Sequence, residues 1–296
     1  MKKGKRVFAL GFFDGVHRGH QALVRQCCRL ASELDCKAAA LTFDSHPDGL
    51  VLGKTPVLIN TVMDRRLLLR QFGIGPIYTL PFDRETMSMP WQEFFRMLVE
   101  DFGAIGIVCG DDFHFGHRGE GNPDKLRQAC AEAGIPCVVV PEQRIGDVRI
   151  SSTHIRALIE GGQMEEAVEF LGHPHILTGV VVPGRHLGHK LGFPTANVLL
   201  PEGVICPKHG VYACRVEVNG KRYAAVTNVG SRPTVNGHQV RTESWILDFD
   251  GDLYGEEITL EFCRFLRPEE KFASLEELKA AVLADGESTR RFFEEN

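Results

Sequence analysis

Val7-Phe8-Ala9-Leu10-Gly11-Phe12-Phe13-Asp14-Gly15-Val16-His17-Arg18-Gly19-His20 sets the fold of the first half of this chain. Its opening residues, 7–10, are apolar and read as a buried strand. A glycine-punctuated turn follows and delivers two histidines, His17 and His20. Leu23, Val24, Cys27, Leu30, Ala31 and Leu34 then recur at helical spacing. Strand, glycine turn and helix start form a layout that offers backbone N–H groups and a helix dipole to an anion. Two imidazoles at that turn add donors where charge develops on a phosphate during transfer. The spacing alone also allows a plainer arrangement, with one histidine capping the helix and the other in solvent. It does not resemble a zinc site, because H-x-x-H is too short to set two ligands on one helical face as H-E-x-x-H does.

Outward from that stretch, residues 6–141 alternate between two periodicities. Apolar runs at 7–10, 38–43, 77–82, 104–109 and 136–140 predict strands. Runs at 21–34, 64–72, 91–102 and 124–133 predict helices, with Thr61 capping the second. This alternation implies a parallel sheet covered by helices on both faces. Ligands of such sheets sit beyond the carboxyl ends of the strands. The polar stretches fall there: 11–20 after the first strand, Asp44-Ser45-His46-Pro47 after the second, Gly110-Asp111-Asp112-Phe113-His114-Phe115-Gly116 after the fourth, and Ile150-Ser151-Ser152-Thr153-His154-Ile155-Arg156 after the last. Taken singly, each has an ordinary use. Ser151-Ser152-Thr153 caps the helix that follows, His46-Pro47 makes a turn, and Asp111-Asp112 ends in a solvated loop. Together they converge on one cleft.

A short helical pattern (Met164, Ala167, Val168, Leu171) closes at Gly172, and His173-Pro174 reads as a joint. The expected domains are therefore 1–172 and 173–296. Beyond the joint the helical period gives way to β-branched alternation at 177–182, 210–218, 223–229, 242–247 and 257–265. Asn219-Gly220 is a hairpin signal and Asp250-Gly251 a second tight turn. Short strands so punctuated predict a small closed sheet or barrel. Ser274-x-x-Glu277 then opens a last helix with Leu275, Leu278 and Val282 along one stripe.

Two stretches of this half carry chemistry. Gly184-Arg185-His186-Leu187-Gly188-His189-Lys190-Leu191-Gly192-Phe193-Pro194-Thr195-Ala196-Asn197 supplies glycines and cations suited to ATP phosphates. It ends in a hydroxyl and an amide on a Pro-led turn, oxygens suited to Mg²⁺. It is not a Walker A sequence. In Glu243-Ser244-Trp245-Ile246-Leu247-Asp248-Phe249 a carboxylate opens an otherwise apolar strand. Such a Glu can accept a hydroxyl proton in phosphoryl transfer. Taken alone, it reads first as a surface acid paired with Arg241.

Bulk properties narrow the classes. At 296 residues two domains are expected, and 43% hydrophobic with 25% charged is ordinary globular composition. A net charge of −5 with no basic stripe argues against nucleic acid or a membrane surface as partner. Nine cysteines without a C-x-x-C read as reduced thiols of a cytoplasmic protein. The apolar run behind Lys2, Lys3, Lys5 and Arg6 is neither a signal peptide nor a membrane span. Nothing implies an obligate protein partner.

The pattern Gly-x-Phe-Asp-Gly-x-His-x-Gly-His over 11–20 resembles the H-x-G-H signature of nucleotidylyltransferases. The whole chain resembles the bifunctional riboflavin kinase/FAD synthetases of prokaryotes. The likeness rests also on Thr42-Phe43-Asp44-Ser45-His46-Pro47, 110–116 and 150–156, then on Leu191-Gly192-Phe193-Pro194-Thr195-Ala196-Asn197, Val229-Gly230-Ser231-Arg232-Pro233-Thr234 and 247–255. The resemblance implies an α/β, Rossmann-like nucleotidylyltransferase domain with a parallel sheet, followed by a small antiparallel β-barrel kinase domain with a C-terminal helix. It implies that His17 and His20 are catalytic and that Gly11, Phe13, Asp14, Gly15, Ser151, Ser152, Thr153 and Arg156 complete an ATP site. His46, Pro47, Asp112 and Phe113 would line the flavin or nucleotide cleft. In the barrel, Gly184, Arg185, Gly188, Lys190, Gly192, Pro194, Thr195 and Asn197 would hold ATP, with Thr195 and Asn197 on Mg²⁺ and Glu243 as base on the riboflavin 5′-hydroxyl.

The sequence departs from the family pattern in places. Phe12 stands where Asn is frequent, Ser45 where Pro is, and His189 where Arg is, and the leader before the first motif is about a strand shorter. His189 bears on the kinase's grip on ATP, since a neutral imidazole is not a fixed cation. The implied activity is phosphorylation of riboflavin to FMN by ATP, then adenylylation of FMN to FAD with release of pyrophosphate. Two other readings stay open at this point: a chain with one inactive site, and a non-catalytic flavin or nucleotide sensor on the same scaffold.

Overall fold

The computed structural model describes residues 4–184, 192–234 and 237–295. The chain forms two compact units, 1–58 with 65–152, and 59–64 with 153–296.

The first unit is built on five parallel strands, β1 (Arg6–Leu10), β2 (Lys37–Phe43), β3 (Ile77–Leu80), β4 (Ala104–Gly110) and β5 (Cys137–Val140), in the order β3-β2-β1-β4-β5. The helices between them are α1 (Arg18–Glu33), α2 (Pro47–Val51), α3 (Val62–Gln71), α4 (Arg84–Ser88), α5 (Trp91–Arg96) and α6 (Pro123–Glu132). The expected strands and the expected parallel sheet are present. The pattern over 91–102 is not one helix: α5 ends at Arg96 and a π-helical turn, Met97–Asp101, continues it. Helices α2 and α4 are five-residue pieces that carry no full apolar period, so periodicity missed them. Phe8, Leu10, Leu41, Leu98 and Ile107 form the buried centre of this sheet, where truncation of such a side chain to Ala costs about 2–5 kcal/mol.

A two-stranded hairpin, β6 (Arg144–Ile145) and β7 (Val148–Arg149), leads to α7 (Ser152–Gly161) and α8 (Met164–Leu171). The compact units divide by packing rather than at the expected joint, 172/173. From Thr153 onward α7 and α8 group with the second unit, where Glu165 pairs with Arg264 at 3.1 Å and Lys208 N–H donates to Ile159 O at 3.2 Å. Residues 59–64 join the same unit, with Asn60 Nδ2 donating to Ile176 O at 3.2 Å. Helical periodicity reads the same on either side of a boundary, so the sequence could not show which sheet these helices would cover.

The second unit is a closed antiparallel barrel in the order β10-β11-β12-β9-β8-β13. Its strands are β8 (His175–Val182), β9 (Thr195–Leu199), β10 (Gly210–Val218), β11 (Lys221–Thr234), β12 (Gly237–Ile246) and β13 (Glu257–Arg267), and α9 (Leu275–Glu295) follows. Asn219 and Gly220 both take positive φ, 51° and 75°, as a two-residue hairpin requires. The turn expected at Asp250-Gly251 is centred earlier, where Asp248 takes φ 58°. Thr195 and Asn197 lie on a strand, β9, rather than on a Pro-led turn.

Candidate active sites

The loop after β1 is tightly wound. Phe13 (φ 60°), Gly15 (φ 79°) and Val16 (φ 40°) all have left-handed backbone, which costs a non-glycine residue of order 1–3 kcal/mol. Phe13 and Val16 are fully buried, so packing holds the strain in place. His17 caps α1, its Nδ1 accepting the His20 N–H at 3.3 Å. That bond needs an unprotonated Nδ1, which leaves the proton of the neutral ring on Nε2. The His17 and His20 rings stack at 3.7 Å with 15° between planes, and the Phe13 ring meets His20 edge-on at 5.3 Å. Burial holds the His20 pKa well below its ordinary value, helped by His17 and Arg65. His20 is therefore a neutral imidazole at pH 7, and its buried Nδ1 has no hydrogen-bond partner among the described residues.

A cavity of about 560 Å³ opens at the carboxyl ends of β1, β2, β4 and β5. Gly11, His17, His20, His46, Pro47, Asp112, Phe113, Ser151 and Ser152 line it, so the polar strand-end stretches do meet. Phe13, Asp14 and Gly15 are buried in the turn itself. Ser152 Oγ donates to Asp14 O at 2.9 Å and ties the last stretch to the first. Thr153 and Arg156 follow on α7, in the part of that helix belonging to the other unit, with Arg156 Nη1 3.5 Å from Thr153 Oγ1. A second, more apolar cavity of about 760 Å³ adjoins the first and shares Phe43, Pro47 and His114 with it.

Sequence reasoning missed three contributors. Arg149, on β7, sits on the cavity rim and pairs with Asp112 at 2.6 Å and Glu142 at 3.1 Å. Its proximity to Ser151 was the available signal. Phe12 was noted only as a departure, yet its ring lines the cavity and meets His46 edge-on at 4.7 Å. Arg65, on α3, is 1% exposed and reaches the carbonyls of Phe12 and Phe43. An Arg in a helical pattern reads as a surface residue, so nothing in the sequence announced it.

In the barrel, Glu243 on β12 is directly opposite Asn197 on β9 and Asn228 on β11, and Trp245 is opposite Thr195. Directly opposed residues share a face, so Asn197, Glu243 and Asn228 form one row. Asn197 is 3% exposed; its Nδ2 donates to Thr195 O at 3.2 Å, while its buried Oδ1 has no partner among the described residues. Gly184 comes so close that a Cβ there would lie 2.6 Å from Asn197 Nδ2. A cavity of about 340 Å³ is lined by Pro194, Thr195 and the connection 249–254, and Glu243 lies outside that lining. Gly192 has φ 91°. Arg185, Gly188, His189 and Lys190 lie outside the described residues.

Two family models match this chain: FAD synthetase over residues 1–154 and riboflavin kinase over 171–293. A bifunctional riboflavin kinase/FMN adenylyltransferase of Listeria monocytogenes is 35% identical over 291 residues, covering 97% of this chain and 92% of that one. Its counterpart in Escherichia coli K12 is 36% identical over 292 residues, again covering 97% and 92%. The chain belongs to the bifunctional riboflavin kinase/FMN adenylyltransferase family. A crystal structure described as a macrolide-efflux protein from Streptococcus pneumoniae superposes with a TM-score of 0.85 at 32% identity, over 98% of this chain and 95% of that one. Among the described residues here, no helix is long and apolar enough to cross a membrane. Family membership gives the two units their separate chemistries, and the order of the two matched models is the order of the sheet and the barrel.

Proposed function

We infer that the barrel unit phosphorylates riboflavin with ATP to give FMN, and that the sheet unit joins FMN to ATP to give FAD and pyrophosphate. Both family models and the near-full-length relatives support this pairing. The observation that carries the residue assignments is the meeting of His17, His20, Ser151 and Ser152 in one cavity at the strand ends.

In the sheet unit, an FMN phosphate oxygen attacks the α-phosphorus of ATP as the bond to the β-phosphate bridging oxygen breaks. Negative charge grows on the α-phosphoryl oxygens and the leaving pyrophosphate. His17 Nε2–H and neutral His20 are donors whose orientation is fixed before reaction by the cap and the ring stack. N–H groups at the start of α1 and Ser151 and Ser152 complete the phosphate cradle. Gly11, Phe13, Asp14 and Gly15 shape the turn. The apolar cavity beside Phe113, His46 and Pro47 suits the flavin ring, with Asp112 held at the rim by Arg149.

In the barrel, Glu243 takes the proton of the riboflavin 5′-hydroxyl as that oxygen attacks the γ-phosphorus. Gly184, Gly192 and Pro194 shape the ATP cleft, and Arg185, Gly188 and Lys190, outside the described residues, are assigned to ATP by the sequence pattern alone. Asn197 Oδ1, buried and without a partner among the described residues, and the Thr195 oxygens fit a hard divalent cation. Mg²⁺ held there by Thr195 and Asn197 would neutralise phosphate charge. The nine free cysteines fit a reducing cytoplasm.

The test is a chromatographic time course with riboflavin, ATP and Mg²⁺, repeated from FMN. FMN followed by FAD from riboflavin is expected. Binding of flavin without turnover would replace the enzyme reading with the sensor.

A further inference from the structure

The cavity of the sheet unit is organised from below by a residue outside every motif. Arg65 rises from α3 and is 1% exposed. Its Nη1 donates to Phe12 O at 2.6 Å and its Nη2 to Phe43 O at 3.0 Å, and Nη1 lies 3.5 Å from Thr42 Oγ1. Thr42 Oγ1 in turn donates to Phe12 O at 3.0 Å. The guanidinium lies 4.1 Å from the centre of the Phe12 ring, which also meets His46 edge-on. Burial lowers the Arg65 pKa to about 10, while Asp14 and Asp44 push it the other way, so the group stays charged at pH 7.

Burying a guanidinium is costly, and at a helix position facing the sheet an apolar side chain would pack without that cost. What the Arg supplies instead is a planar fork with donors on two sides and a stacking face. One arm takes the carbonyl that starts the loop of His17 and His20. The other takes the last residue of β2, just ahead of His46-Pro47. The backbone tie between the two segments ends at Gly11 N–H to Leu41 O, 3.3 Å, and Thr42 Oγ1 reaches Phe12 O; the fork carries the tie on to Phe43 O. We propose that Arg65 is a positioning residue for FMN adenylylation, clamping the loop after β1 to the end of β2 so that Phe12, His46 and the two catalytic imidazoles are presented to the cavity in one fixed arrangement.

The proposal rests on the reading of that cavity as the adenylylation site, so the wild-type chain is assayed first. Arg65→Met and Arg65→Lys are then compared in the full chain, each assayed for FAD from FMN and, in the same preparation, for FMN from riboflavin. Misplacement of a reacting group by about 1 Å costs roughly 100-fold in rate, so Arg65→Met is expected to lose about that much kcat for FAD formation. KM for ATP and FMN should move by less than about 5-fold, because the loss is of arrangement rather than of contacts. Arg65→Lys keeps the charge but reaches only one carbonyl, and should recover about 10-fold over Arg65→Met. Riboflavin phosphorylation stays within about 2-fold in both, since changes at independent sites do not couple.

Arg65→Met forming FAD within 3-fold of wild type overturns the proposal, as do equal losses in both variants with both activities falling together. If Arg65→Met does not fold, Arg65→Lys decides: a selective loss of about 10-fold supports the clamp, and FAD formation at the wild-type rate overturns it. A wild-type chain that makes FMN but no FAD overturns the reading of the cavity itself, a result separate from any difference among variants.

Discussion

His17 has two jobs that a single substitution can separate. As the cap of α1 its Nδ1 holds the His20 N–H, and in the catalytic role proposed above it would offer Nε2–H to the phosphoryl oxygens. Asn caps helices as well as any residue, so His17→Asn should cost less than about 1 kcal/mol of stability. It has no donor at the position of Nε2, so FAD formation from FMN should fall by at least about 100-fold. Paired thermal melts and FMN-to-FAD rates check this; retained activity would reduce His17 to a cap. A second histidine is a liability rather than a tool. His175 is 1% exposed, packs at 5.6 Å on Phe262 and leaves both ring nitrogens without a partner among the described residues. Burial, with a smaller contribution from His173, lowers its pKa to about 3 from the ordinary 6.5. Between those values the unfolded chain binds a proton that the folded chain refuses. Stability therefore falls as pH falls, by roughly 1.4 kcal/mol per pH unit from this group. Urea midpoints at pH 7.5 and 5.5 should converge in His175→Phe and diverge in the wild type; equal slopes would show that His175 is not the responsible group.

At the scale of elements, what was legible followed from period and punctuation. The strand-turn-helix of 7–34, the parallel sheet and the Asn219-Gly220 hairpin were readable because apolar spacing and positive-φ residues act locally. Helices α2 and α4 were too short to show a period, and Arg65 draws its role from two carbonyls far along the chain. The last helix shows the limit best. Leu275, Leu278 and Val282 were read as its apolar stripe, but Leu275 is 54% exposed and the buried positions are Asp285, Gly286 and Thr289. Helix α9 docks through an ion pair, Arg267 with Asp285 at 2.8 Å, and through close approach at Gly286. Hydrophobicity cannot announce such contacts. They do make a prediction. Gly→Ala inside a helix normally stabilises by about 1 kcal/mol. At Gly286 the new methyl would lie 2.8 Å from the Trp245 ring, so the sign should reverse. Trp245 is two residues from Glu243 on β12, opposite Thr195 and against Phe193 at 5.3 Å. Gly286→Ala should therefore lower the melting temperature and slow riboflavin phosphorylation, while FMN adenylylation proceeds at its normal rate. A stabilised variant with normal kinase activity would show that the ring yields freely.

For the whole molecule, the question is how far the two chemistries depend on one chain. Each proposed site lies inside its own compact unit: the histidine cavity from residues 10–152, the Glu243 row from β9, β11 and β12. Neither reaction needs a covalent intermediate, because both are direct displacements at phosphorus in which positioning and charge stabilisation do the work. FMN, the product of one and substrate of the other, therefore has no covalent reason to stay on the chain that made it. His20→Ala should stop at FMN, and Glu243→Gln should convert supplied FMN to FAD but leave riboflavin untouched. Neither variant alone makes FAD from riboflavin, yet an equimolar mixture should, after a lag in which free FMN accumulates. The lag should shorten as total protein rises, since both making and using FMN then speed up together. Chromatography of the mixture against each variant alone reads this directly. If the mixture yields FMN but no FAD while Glu243→Gln still adenylylates added FMN, the intermediate is being withheld by the chain that made it, and the two units act as one passage rather than as two independent enzymes.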